Sequence, residues 1–421
     1  MGARETGVPV TRHALMRFYT IAALAYAYAV VGILMNSVGV VILQSIQHLG
    51  ATKLQGSALE ACKDLSVVAA SFFLATRVAT FGFRRAMIGI LLVMAAACLA
   101  ASFAGSFVAM QALFVITGLS FGVVKVATYS TIGLLARDPA DHASITGTIE
   151  GVFMVGVLTG LWIFAAFIGA DVTGRAWLHV YWLLAGLCAA GAMAWFLVSL
   201  DESAARAAET SAGWREMLAL AALAATIVVL GALFLYVLIE QGVGSWLPTF
   251  NREVLQLPAA MSVQMSTIFL AALAAGRLMS GLVLRRFHWL PVLLMCLAAI
   301  AILIVTSLPL ARGVMPRSDI GWANAPVAAY IFPLLGFFLA PIYPTICSVA
   351  LSALPRPSHP AMVGLIVIFS ALGGTLGSFI TSLLFQHLSG AFAFYFLLVP
   401  IGLIALLLPV IRRQRAQRVA A

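Results

Sequence analysis

Charge is what this chain has least of. Asp, Glu, Lys and Arg make up 9% of its 421 residues, where a water-soluble domain carries about 25%. With 63% apolar residues and a mean hydropathy of +1.08, that shortage excludes a soluble globule. Cysteine is scarce as well. Cys62, Cys98, Cys188, Cys296 and Cys347 all fall inside apolar stretches, and none faces another across a loop, so neither a disulfide nor a metal site is expected. The seven histidines lie in loops or at the ends of apolar stretches, which argues against an intramembrane hydrolase needing a buried general base. No nucleotide-binding motif is present, so no cofactor is expected and any driving force must be a gradient. The polar start, MGARETGVPVTRHALMRF, followed by an overlong apolar run, does not read as a cleavable signal, and Gly2 lacks the Ser or Thr that myristoylation needs.

What the chain does have is twelve long apolar stretches. The first runs from about Arg17 to Ile46 and the last from about Ala391 to Ile411; the others begin near Ser57, Ala86, Phe107, Ser144, Ala176, Met217, Pro258, Leu290, Ala325 and Ala361. Each exceeds the roughly 20 residues needed to cross a ~30 Å hydrocarbon core. The expected fold is an all-α membrane protein of twelve transmembrane helices in two pseudo-symmetric six-helix bundles, residues 1–200 and 216–421, joined by a polar linker at 201–215. With both termini on one face, sixteen basic residues gather there against five on the other. The positive-inside rule makes that face cytoplasmic, in an inner membrane. The net charge of +10 then reflects topology, and no nucleic acid partner is implied. One chain supplies both halves, so a monomer embedded in the lipid bilayer suffices.

A shift of 201 residues lays Arg285 on Arg84 and Arg286 on Arg85, each pair on the short loop after the second span of its half. Internal duplication of this kind is common in secondary transporters. The two loops resemble the signature G-x-x-x-D-[RK]-x-G-x-[RK]-[RK] of the major facilitator superfamily. The first copy, ATRVATFGFRR, keeps Gly82, Arg84 and Arg85 but has Ala75, Ala79 and Thr80 elsewhere in the pattern. The second, GLVLRRFHWLP, keeps Gly281 and Arg286, with Arg285 in place of the acid and His288 in place of the second Gly. The strings GLSFGVVKVATYSTIGLLA, SITGTIEGVFMVGVL and YVLIEQGVGSWLPTF are most similar to the fucose permease–like branch of sugar–proton symporters. The fifth stretch lacks the Gly-Pro pair of the drug–proton antiporters. The resemblance implies alternating access, with Arg84, Arg85, Arg285 and Arg286 as gating residues.

Seven ionisable side chains lie within the stretches: Glu60, Lys63, Asp64, Lys125, Glu150, Glu240 and Arg277. Each costs at least ~2.5–3.5 kcal/mol at a helix centre, so each should face a partner or a wet cavity. Lys125 and Glu150 flank the Arg137-Asp138 turn at nearly equal distances, roughly 16–18 Å from it in a helical hairpin. They read as a static ion pair or as a site for substrate or coupling proton. The resembling sugar porters carry a Glu at the place of Lys125 and an amide at the place of Glu150, and their first-span Asp is here Asn36. A cation in the cavity suits an anionic or zwitterionic substrate. Glu60 and Asp64, at i and i+4 beside Lys63, read as a self-neutralised cluster in the outer vestibule or as a proton site. Asn36 is expected near the depth of Asp64.

Glu240 and Gln241 are expected in the cavity, next to a helix end weakened by Gly242, Gly244 and Pro248. Trp246 reads as a stacking platform for a sugar-like ring or as an interfacial anchor, the latter favoured. Arg277 is expected to snorkel or to brace the inner gate. Glycine pairs four residues apart, Gly147 with Gly151, Gly156 with Gly160 and Gly373 with Gly377, favour close helix packing. Pro333, Pro341 and Pro344 should bend the tenth span. The sequence thus points to a secondary transporter, not an enzyme, moving a small polar solute (a sugar, sugar acid or related organic anion) together with protons. The alternatives are an exporter of an amphiphilic or anionic compound and a non-transporting membrane sensor or scaffold.

Overall fold

A computed structural model describes residues 10–74, 78, 81–168, 174–200, 202, 214–311, 313–315, 320–355 and 358–420. The first span is two helices, Val10–Asn36 and Val38–His48, meeting at Ser37. The second is Lys53–Ala69, continued by a π-helical turn at Ala70–Leu74. The third to sixth are Phe83–Ala104, Phe107–Leu135, Pro139–Phe167 and Val180–Leu197. In the second half, Trp214–Ala221 leads into the seventh span, Ala224–Glu253. The eighth is Ala259–Met265 with Thr267–Val283, and the ninth is Trp289–Ser307. The tenth breaks into Ala328–Ile331, Phe332–Leu334, Leu335–Leu339 and Ile342–Ser352, with Pro333 and Pro341 at its breaks. The eleventh is His359–His387, and the twelfth Gly390–Tyr395 with Leu398–Ala420.

Among the described residues, eleven helices are long and apolar enough to cross a membrane. The twelfth expected crossing is the second span, whose four charged residues, Lys53, Glu60, Lys63 and Asp64, lower its apolarity. It starts with a capping box: Thr52 Oγ1 accepts from the Gln55 N–H while the Gln55 side chain accepts from the Thr52 N–H. At 1.5 Å per residue, Lys53–Leu74 is about 33 Å long, enough to cross.

Six spans from each half form one bundle. In the first, the fourth span packs on the first, second and third, the fifth on the first, and the sixth on the third. In the second, the seventh packs on the eleventh and twelfth, and the eighth and ninth on the tenth. The bundles meet through the second and eleventh spans, through the fifth and eighth, and through Val38–His48 against the seventh. Glycines permit the tightest approaches. A Cβ on Gly118 would strike the Lys63 carbonyl, and one on Gly377 the Leu238 carbonyl. Gly156 and Gly160 likewise seat Ala29 and Ile33 of the first span, whereas Gly147 and Gly151 face open space. The seventh helix runs unbroken through Gly242, Gly244 and Pro248, so the expected weakening of its end is not found. Every residue from Ser245 to Asn251 is buried, and packing on both neighbours holds the helix past the hydrogen bond that proline removes.

The linker at 201–215 falls largely outside the described residues, as do residues 75–77, 79 and 80 of the first loop signature. The end at which the first span begins and the twelfth finishes is called the linker end; the opposite one is the far end.

Candidate functional site

In the first bundle, the fourth span carries Lys125 and, one turn later, Tyr129; the fifth carries Glu150. The Tyr129 hydroxyl donates to Glu150 Oε1, and so does the Tyr28 hydroxyl of the first span, at 3.3 Å. Tyr129, one turn from Lys125, thus reaches Glu150, but no ion pair joins Lys125 and Glu150 among the described residues. The Lys125 ammonium lies instead 5.7 Å from the centroid of the Phe121 ring. Lys125 and Tyr129 are exposed. An ammonium near mid-depth belongs on water rather than lipid.

A second cluster sits on the seam. Lys63 pairs with Glu60, and its Nζ stands 3.5 Å from Asp64 Oδ1. Glu60 is 0% exposed and Lys63 3%. Glu60 Oε2 accepts a 2.6 Å hydrogen bond from Ser245 of the seventh span, which crosses from one bundle to the other. Asp64 Oδ2 lies against Gly374 of the eleventh span, beside the Gln241 side chain. The seam cluster is therefore not a vestibule lining, as one of the two readings had it, but a buried joint between halves.

In the second bundle, Glu240 Oε1 lies 3.6 Å from Arg277 Nη2, with half of the Arg277 side chain exposed. Arg277, expected to snorkel or to brace the inner gate, has the acid of the seventh span as its partner. Tyr236 and Tyr343 rings stand 5.5 Å apart, and Tyr343 shares a 3.2 Å hydrogen bond with Ser370.

Two expectations need correction. Trp246 is 0% exposed; its Nε1–H donates to Ser378 Oγ at 3.0 Å and its ring packs 5.5 Å from Phe385. With its one polar atom spent inside the second bundle, it neither touches a substrate nor anchors at an interface. Arg84 does not reach the other half. Its backbone N–H donates to Glu202 Oε1 at 2.8 Å, and its guanidinium caps the sixth span through the Trp195 and Phe196 carbonyls at 3.2 and 2.5 Å. A cation there satisfies carbonyls at a helix C-terminus, which explains the position without a gate. Arg85, Arg285 and Arg286 are exposed and form no ion pair among the described residues. Asn36 turns back on its own helix, its Nδ2–H donating to the Gly32 carbonyl at 3.0 Å.

The contacts that close the molecule lie at the far end. Lys53 Nζ pairs with Glu253 at 2.6 Å, and the Leu54 N–H donates to Gln386 Oε1 at 3.0 Å. Trp162 of the fifth span stacks on Trp322, centroids 5.7 Å apart and planes 11° off parallel. At the linker end, Arg17 bonds Asp141 at 2.5 Å and the Leu135 carbonyl at 3.2 Å, both within the first bundle. Sequence reasoning missed Lys53, Ser245, Trp162 and Trp322, and the tyrosines at 28, 129, 236 and 343. A chain with nine tyrosines that places Tyr129 four residues after Lys125 offered one usable signal, because i and i+4 share a helix face.

Residues 24–330, most of the chain, match the sequence profile of the Major Facilitator Superfamily. The chain belongs to the Major Facilitator Superfamily. It is a multi-pass membrane protein and a secondary transporter rather than an enzyme. Among solved structures, the superfamily member resembles a bacterial homologue of the human lysosomal transporter Spinster, inward-facing and occupied, with a TM-score of 0.75, 13% identity and coverage of 96% of this chain and 98% of that one. The nucleoside transporter NupG (D323A mutant) aligns with a TM-score of 0.75 at 10% identity over 94% and 99% of the two chains. A D-xylose–proton symporter aligns at 0.69 and 12%, over 94% and 97%. At these identities the likeness is one of fold. No curated protein sequence matches the chain significantly.

Proposed function

We propose that this superfamily transporter carries a small organic anion, a sugar acid or related carboxylate, by alternating access and together with protons. One observation carries the reading: Lys125 is an exposed cation near mid-depth with no carboxylate in ion-pair range among the described residues. The neighbouring acid, Glu150, is held by two tyrosine hydroxyls, which leaves the ammonium for a ligand. The sugar side of the reading rests on the resemblance to fucose permease–like porters, and the D-xylose–proton symporter is a structural neighbour with that chemistry in its name. Protons are assigned to the seam, where Glu60 and Asp64 share one lysine and where a proton would loosen the joint that Ser245 closes. The distribution of arginines supports a cytoplasmic linker end, and the far-end contacts support a state closed to the outside.

The test is uptake of labelled glucuronate, gluconate and glucose into proteoliposomes, with and without an imposed pH gradient. Accumulation of an anion that Lys125→Ala abolishes, and that Asp64→Asn uncouples from the gradient, is the expected result. Uptake of glucose alone would overturn the anion reading, and indifference to the gradient would remove the protons.

A further inference from the structure

Lys125 does not stand on a polar surface. The Phe121 ring beneath its ammonium stacks on Tyr28, with centroids 6.0 Å apart and planes 11° off parallel. Phe153 lies 4.8 Å from Tyr28 and 6.3 Å from Phe121. Three rings, one each from the first, fourth and fifth spans, thus form a single patch beside one cation. Phe121 and Phe153 remain partly exposed. The seat of Phe153 is built into the first span, since a Cβ on Gly32 would come within 2.6 Å of that ring. The polar groups around the patch are already engaged, Tyr28 and Tyr129 with Glu150 and the Asn36 amide with its own helix.

We propose that the ligand of this face is a monocarboxylate whose body is a flat, mainly apolar ring. The proposal rests on the reading of Lys125 as the anion-binding cation and narrows it. A carboxylate would meet the ammonium while the ring lies against the exposed parts of Phe121 and Phe153, in the offset or edge-on arrangements aromatic pairs prefer. Ligand sites of this kind are mostly apolar with a few placed polar groups. A sugar acid fits less well: its hydroxyls would face rings, and the Tyr28 and Tyr129 hydroxyls and the Asn36 Nδ2–H already have partners.

The experiment is calorimetric titration of the detergent-purified full-length protein with benzoate, glucuronate and benzamide at one ionic strength. Benzoate is expected to bind at least about tenfold more tightly than either of the others, the scale on which apolar pockets discriminate. Phe121→Leu, which keeps apolar volume and removes the ring, should lower the benzoate-to-glucuronate preference by about as much. If that variant fails to fold, as its melting curve would show, the ranking in the parent decides alone. Glucuronate binding as tightly as benzoate overturns the ring assignment and leaves the organic-anion function standing. Benzamide binding as tightly as benzoate overturns the carboxylate. Binding of neither anion removes this proposal and the anion function together.

Discussion

Lys63 and Lys125 sit in the same bundle, on helices that pack against each other, and have opposite fates. Lys63 is locked between Glu60 and Asp64 and is 3% exposed. Lys125 has a ring beneath it, no carboxylate in ion-pair range among the described residues, and an open face. The difference is set by spacing along the helix. Lys63 has an acid three residues before it and another immediately after, so its neutralisation is written into its own span. The acid nearest Lys125 is on another helix and is held by Tyr28 and Tyr129. A membrane lysine neutralised by its own helix becomes part of the frame, and one left without a counter-ion becomes a place for a ligand.

Removing each lysine in turn breaks that comparison most directly. Lys63→Ala leaves two carboxylates buried at the seam without their cation, and losing one partner of a buried charge pair costs about 3–5 kcal/mol. Lys125→Ala removes a solvated charge and should cost no more than about 0.5 kcal/mol, while anion binding disappears. Unfolding in detergent, followed by denaturant titration of both variants, gives the two numbers. Equal losses would mean that the two lysines do the same job.

Ser245→Ala sharpens the seam half of the comparison at a smaller scale. The hydroxyl donates to Glu60 Oε2 at 2.6 Å across the bundle boundary, and a hydrogen bond to a charged group contributes about 1.5–3 kcal/mol. The expected loss is of that size in the parent and about 0.5–1.5 kcal/mol in a Glu60→Gln background, because the charged acceptor is then replaced by a neutral amide oxygen. A double-mutant cycle of unfolding free energies measures it. An undiminished loss in the Glu60→Gln background would show that Ser245 supports the helix rather than the joint.

The spans and their duplication were legible because crossing a bilayer demands long apolar runs, and the charges inside them were legible because so few are tolerated. Even the second span reads as an apolar stretch from about Ser57, although its helix is not among those long and apolar enough to cross among the described residues. What could not be read was which way a side chain points once two helices meet. Trp246 follows a polar, cavity-like string yet turns into the second bundle toward Ser378. Glu150 is expected at the depth of Lys125 but is captured by Tyr28, more than a hundred residues away in sequence. Pro248 and two glycines favour a break that burial on both sides overrides. In each case the decisive contact is between helices distant in the chain, and no spacing rule within one span encodes it.

The smallest expected effect belongs to a contact of the linker end. Asp141 accepts from the Arg137 backbone N–H at 2.9 Å and from the Arg17 guanidinium, and these hold its carboxyl below the ordinary value of 3.8. A depressed carboxyl contributes stability above its unfolded value, and that contribution is lost as pH falls through the lower folded one. The site is open to solvent and screened by salt, so the effect is slight. Asp141→Asn should therefore melt slightly below the parent at pH 7, and the two curves should converge as the pH is taken below 3.8. A gap that persists unchanged into acid would mean that Asp141 acts through the geometry of the Arg137-Asp138 turn, which an amide also disturbs, and not through its charge. Convergence would place the Arg17–Asp141 contact with the solvated charges, whose removal is cheap, on the same side of the divide as Lys125 and opposite Lys63.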